Sequence, residues 1–393
     1  MSIVRVKSVV QNFTIKSDGS AHPFIGLEDL ESGTGRLLVD SIPCKAAEDS
    51  LVHQLGDVLF SKLRPYLAKS YLPQTSGTAT GELLVLRPKK LISTRFLMYL
   101  TLSGPWVEWA NVSAYGTKMP RTSWELMGEF RFALPSLEMQ ERIAEFLDGE
   151  IEKIDAISQA RKQQSVLLGR HRAAALSGLF ARASSSVPTR LKYLMRNKPR
   201  YGVLVPEFTD NGVPFVRVND LLDLRGRAVS LVRIPEALSQ QYARTRVQPN
   251  DILLSVVGTL GRAALAPVEL EGANIARAVA SLRVRHDVDP GLFVRWIETA
   301  DFMRQALDAT GNDTAQPTLG MEDLGNFKLR WPTEAHEQRR LAQEVEEVAK
   351  HHDELAACYE KQTRLLAERR RALITAAVTG QIDVTTARGV RVP

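Results

Sequence analysis

The chain has 393 residues, 44% hydrophobic and 24% charged, which is enough for two or three domains with separate cores. It shows no apolar run near 18 residues and no basic-then-apolar leader, so neither a membrane span nor a secretory signal is expected. The net charge of +6 is compatible with nucleic acid without demanding it, and Cys44 and Cys358 have no metal or disulfide spacing, as expected of reduced thiols in a cytoplasm.

Residues 1–135 alternate short apolar runs with Gly, Pro, Ser and Asp. Strands are expected at 37–39, 58–60 and 82–86 and one helix near 93–102, a mixed and strand-rich domain. Residues 136–181 follow as a long helix with no proline. Ile143, Leu147, Ile154, Ile157 and Leu168 form its narrow apolar seam, while Glu, Lys, Arg and Gln fill most other faces. At 1.5 Å per residue such a helix is about 65 Å long. Residues 182–189 (RASSSVPT) have the composition of a linker.

From 190 the plan repeats. PFIGLEDL at 23–30 answers to PFVRVNDL at 214–221, and LGDVLFS at 55–61 to PNDILLS at 249–255. GELLVLRP at 81–88 stands where VASLRV stands at 279–284, FLMYL at 96–100 answers to LFVRW at 292–296, and GTKMP at 116–120 to TAQP at 314–317. A second strand-rich domain, 190–332, thus precedes a second long helix, 333–379, and a tail, 380–393. In that helix Leu341, Val345, Leu355 and Leu366 overlay Ile143, Leu147, Ile157 and Leu168, with His352 over Ile154. Each helix carries a glutamine soon after a proline, Gln140 and Gln338. The offset drifts from 191 (Pro23 to Pro214) to 198 (Ile143 to Leu341), as small loop insertions would produce. Each strand-rich segment has a net charge of +3, whereas the helices are nearly balanced.

Several strings resemble the specificity subunit of Type I restriction–modification enzymes: GTKMP at 116–120, LPSLEMQERIA at 134–144, QPTL at 316–319 and WPTEAHEQ at 331–338. The helix ends, RAAA at 172–175 and RRALITAAVTG at 370–380, and the loop DILLSVVGTLGR at 251–262 join them. The first copy departs from the pattern, with SKLRP at 61–65 in place of the GTLGR of 258–262. The resemblance implies an α+β fold: two target-recognition domains, separated and followed by long helices that form an antiparallel coiled coil. It implies a non-catalytic reader of double-stranded DNA, each domain taking one half of a bipartite site while the helices set the spacing. It also implies docking of two methyltransferase subunits and, through the complex, of restriction subunits. S-adenosylmethionine, ATP and Mg would sit on those partners and none on this chain.

The residues agree where they can be read. The sequence contains no G-x-x-x-x-G-K-[ST] loop and no Asp/Asn-Pro-Pro-aromatic tetrapeptide; GTLGR at 258–262 reads as a turn. His351 and His352 are adjacent on a helix, about 100° apart, a poor metal pair. DNA contact needs Arg, Lys, Asn or Gln on loops, with hydroxyl groups beside them. The candidates are Lys62, Arg64, Tyr66 and Lys69 on one loop and Arg244, Arg246 and Arg262 on its counterpart. Tyr115, Lys118, Arg121, Asn312 and Gln316 precede the helices, and Arg217 and Asn219 alternate on an expected strand. The rival reading is a duplicated coiled-coil scaffold without sequence-specific DNA binding.

Overall fold

The computed structural model describes residues 2–46, 49–183, 186–311 and 317–386. The chain divides into two compact units, residues 1–162 with 360–393, and residues 163–359. Two continuous helices, Leu137–Arg182 and Ala335–Val378, contribute residues to both.

In the first unit an antiparallel sheet runs Val10–Asn12, Leu83–Pro88, Val58–Ser61, Ser70–Tyr71. A second sheet runs Cys44–Ala46, Ala21–Ile25, Gly77–Ala79, Leu51–His53, with Ala21–Ile25 and Gly77–Ala79 parallel. Thr94–Leu102 is helical, its first turn capped by Ser93 Oγ accepting from the Phe96 N–H. A further helix, Gly104–Val112, starts on Pro105, where a missing N–H costs nothing. Its Trp106 is fully buried, edge-on to Phe60 at 5.6 Å. Residues 37–39 are not a strand. Gly33 and Gly35 turn the chain at positive φ, Leu37 makes a single bridge to Leu30, and Leu38 is exposed.

The second unit repeats the plan with a sheet ordered Arg200–Tyr201, Val279–Leu282, Ile252–Ser255, Ala263–Leu265. A three-stranded sheet orders Arg233–Ile234, Val213–Val216, Asn274–Ile275, again with a parallel pair. The segment expected as a linker is partly structured: Ser186–Arg190 pairs antiparallel with Lys328–Pro332. Pro188 is tolerated because a two-stranded ribbon leaves one side of each strand without a neighbour. The same ribbon in the first unit joins Ser2–Arg5 to Arg131–Leu134.

Each ribbon leads into a long helix through a buried glutamine. The Gln140 side-chain oxygen accepts from the Ser93 N–H at 2.7 Å, and its amide donates to the carbonyls of Leu91 (3.0 Å) and Pro135 (2.9 Å). Gln338 does the same with the Asp289 N–H (2.8 Å) and the carbonyls of Asp287 (2.8 Å) and Pro332 (3.1 Å). The two glutamines, five and six residues after their prolines, thus form one duplicated lock.

The helix seam does more than join helix to helix. Ile143 and Leu147, with Ile151, enter the first unit's core beside Ile374, Ala377 and Val378 of the other long helix. Leu341 and Val345 enter the second unit's core beside Leu176 and Phe180. Ile154 is buried, whereas Leu168, Leu355 and Leu366 are half-buried. Ile157 departs from the expectation and is 50% exposed. At 100° per residue it lies about 75° from the centre of the stripe that Ile143, Leu147, Ile151 and Ile154 define. His352 is buried and structural: its Nδ1 bonds the Val348 carbonyl, and its Nε2 lies 2.9 Å from His171 Nδ1. Asp155 opposite Arg370 in one unit, and His171 opposite His352 in the other, fix the helices as antiparallel.

Candidate nucleic-acid interface

In both units a strand of the all-antiparallel four-stranded sheet ends on serine and opens into a loop. Ser61 N–H donates to the Lys69 carbonyl at 2.9 Å, and Ser255 N–H to the Arg262 carbonyl at 2.8 Å. Each loop is then tied to the segment that leads to the long helix: Arg64 N–H donates to Pro120 O (2.8 Å) and Gly258 N–H to Pro317 O (2.9 Å). Before the strand, Asp57 takes Arg87 in a two-pronged ion pair (2.7 and 2.8 Å), and Asp251 takes Arg283 likewise (2.7 and 2.7 Å).

Lys69 corresponds to Arg262, although the first loop is one residue longer. Lys69 Nζ donates to the Leu27 carbonyl at 2.6 Å, and an Arg262 terminal nitrogen to the Val218 carbonyl at 3.3 Å. Leu27 and Val218 occupy matching places in the repeat. Both cations therefore brace their loops from within the unit.

In the first unit the loop and the segment 115–121 come together, with bridges from Leu63 to Arg121 and from Tyr115 to Arg121. Arg64, Tyr66, Tyr115 and Lys118 are exposed. Arg64 stands in the left-handed region at φ 50°, a conformation that costs a non-glycine residue energy. Arg121 is held by both carboxylate oxygens of Glu82 (2.7 and 3.2 Å). Lys62 is half-buried near Glu82, and burial lowers its ammonium below the usual lysine range.

In the second unit Arg217 and Asn219 do not lie on a strand. The strand Val213–Val216 stops short, and Val218–Leu222 is a 3₁₀ turn. Asp220 causes the turn by accepting from the Arg217 N–H (2.9 Å) while its carboxylate also holds the Arg217 side chain (3.2 Å). Arg262 reaches this turn at Val218, so Arg217, Asn219 and Arg262 gather in one place. Arg244 and Arg246 line a different small cleft with Lys198, Arg200 and Arg283. Arg246 is engaged by Ser239 (2.8 Å) and Glu236 (2.6 Å), while Arg244 is exposed. Lys198 and Arg200 gave no sequence signal, since only folding sets them beside Arg244. Asn312 and Gln316 lie outside the described residues. Among the described residues no group of three or more His, Cys, Asp or Glu could hold a metal ion, and no helix is long and apolar enough to cross a membrane.

Residues 55–166, which include the first loop and most of the first long helix, match the family model of the Type I restriction modification DNA specificity domain. The chain is 27% identical over 248 residues to the EcoBI specificity subunit of Escherichia coli, a stretch covering 56% of this chain and 52% of that relative. Over 116 residues it is 26% identical to the EcoDI specificity subunit of the same organism, 26% of that relative's length. The chain thus spans about half, or less, of the length of these curated relatives. A solved chain from work on complex assembly and conformational transition of the type I R-M system shares the fold, with a TM-score of 0.66 at 19% identity, covering 97% of this chain and 98% of that one.

Proposed function

We propose that this chain, which carries the specificity domain of Type I restriction–modification systems, is the DNA-reading subunit of such a system. The observation that carries the reading is the repeated loop frame. Its backbone ties are the same in both units, yet the residues it presents differ: Lys62, Arg64 and Tyr66 in one, Gly258 and Thr259 beside Arg217 and Asn219 in the other. A single scaffold displaying two different sets of polar groups suits two different half-sites on double-stranded DNA. Lys62, Arg64, Tyr66, Tyr115, Lys118, Arg121, Arg217, Asn219, Arg244, Asn312 and Gln316 are the contact set. Lys69, Arg246 and Arg262 support it from behind.

The long helices set the spacing between half-sites and dock two methyltransferase subunits, through which restriction subunits join, in a bacterial or archaeal cytoplasm. This chain supplies no catalytic group and holds no cofactor. Base extrusion, S-adenosylmethionine, ATP and Mg belong to its partners. The test is to co-express the chain with a methyltransferase subunit encoded beside it and sequence the methylated genome. A split motif with N6-methyladenine in each half, lost when the chain is deleted, is the expected result. A stable complex that methylates nothing new would favour the scaffold reading instead.

A further inference from the structure

The two long helices carry arginines at matching places, Arg172 and Arg370, each facing a matching aspartate on the other helix, Asp353 at 3.2 Å and Asp155 at 3.4 Å. The pairs then diverge. In the second unit Arg172 completes its set with Glu298, at 2.8 Å, on the helix flank. In the first unit Arg370, only 6% exposed, donates to the carbonyls of Gly33 (2.6 Å) and Thr34. Arg36, at the far end of the same short turn, holds Asp155 as well. A buried guanidinium and its carboxylate thus grip the turn 31–36 at its middle and at its far end.

That turn touches the candidate reading loop. Gly33 N–H donates to the Ala68 carbonyl at 3.1 Å, and Ala68 is left-handed at φ 47°. Tyr66 and Leu67 line one cleft with Gly33 and Arg370. The turn packs against the helix behind it: at Gly35, φ 78°, an added Cβ would fall 2.4 Å from Met98 Cε.

We infer that Arg370 is a positioning residue for the first recognition loop, 62–69: through the turn 31–36, the distal helix holds the backbone that presents Arg64 and Tyr66. This rests on the DNA-reading function proposed above. Lysine cannot replace it fully, because an ammonium lacks the planar fork that serves two carbonyls and a carboxylate together.

The experiment uses the full chain in two measurements. Hydrogen exchange of the wild type, Arg370→Gln, Arg370→Lys and Arg172→Gln reads the loop without DNA. Arg370→Gln should speed exchange at Gly33 and across 62–69 about tenfold or more while 256–262 is unchanged, with Arg370→Lys between it and the wild type. Arg172→Gln should leave 62–69 at wild-type rates. Unchanged exchange at 62–69 in Arg370→Gln would overturn the inference. The second measurement is binding of the methyltransferase complex to duplexes altered in one half-site at a time. Arg370→Gln should lose about tenfold discrimination in one half only, the half that Arg64→Ala also affects. Equal loss in both halves would make Arg370 merely a structural clamp, whereas a wild type without sequence preference would sink the DNA-reading function itself.

Discussion

Lys69 and Arg262 show how residue type alone misleads about role. Both are cations on loops that suit DNA, and both spend their charge on a backbone carbonyl of their own unit. Arg64 is the contrasting case, exposed on a left-handed backbone. A residue of a third kind is His53. It is 1% exposed, and among the described residues its ring finds only the Thr78 backbone as a weak, poorly aligned partner. Burial outweighs the attraction of the nearby Asp57 carboxylate and lowers its pKa to about 4. The folded chain keeps this ring neutral, while the unfolded chain protonates it below the ordinary value of 6.5. Between those values the unfolded state binds more protons, so stability is complete above pH 6.5 and falls as the pH drops toward 4. The slope approaches about 1.4 kcal/mol per pH unit, to a total of order 3 kcal/mol. Urea unfolding of the wild type and His53→Leu at pH 7 and pH 5 measures it: the wild type should lose the larger share of its stability on acidification. Parallel losses in both proteins would remove His53 as the cause.

Among the elements, the long helices were legible because a 3.6-residue apolar rhythm needs no tertiary information, and the duplication was legible because its strings survive. The failures have a common physical origin. The apolar run 37–39 was too short to outweigh two turn-forming glycines, and Arg217 and Asn219 left the strand because Asp220 captured the local backbone. Asp155 and Arg370 are far apart in sequence, and no local pattern announces such a pair. Gln140 and Gln338 were visible as a recurrence, but only the structure gives their use. Each satisfies one N–H and two carbonyls in a buried corner, so replacing either by leucine strands three polar groups. Gln140→Leu or Gln338→Leu should each cost about 2–4 kcal/mol by chemical denaturation, since a buried group left unpaired costs about 1–3 kcal/mol and the leucine recovers part by apolar contact. A loss under about 0.5 kcal/mol would mean that water or a shifted backbone replaces the glutamine.

For the whole molecule, the duplication carries an energetic consequence. If each unit reads its own half-site, perturbations of the two loops share no partner and their binding costs should add. Arg64 acts at the exposed tip of the first loop, and Arg262 supports the second by bonding Val218 beside Arg217 and Asn219. In the proposed complex with methyltransferase subunits, Arg64→Ala and Arg262→Ala should each weaken binding to the split motif by about 1–3 kcal/mol, each relaxing preference in a different half. The double variant should equal the sum within about 0.5 kcal/mol. Salt separates reading from general attraction, because phosphate contacts release counterions and steepen the fall of affinity with ionic strength. A nonspecific basic scaffold would lose affinity on all duplexes alike, in both single variants, with a shallower salt dependence and no change in preference. Half-specific and additive losses would require two independent readers on one chain, in keeping with a loop frame that occurs once in each unit.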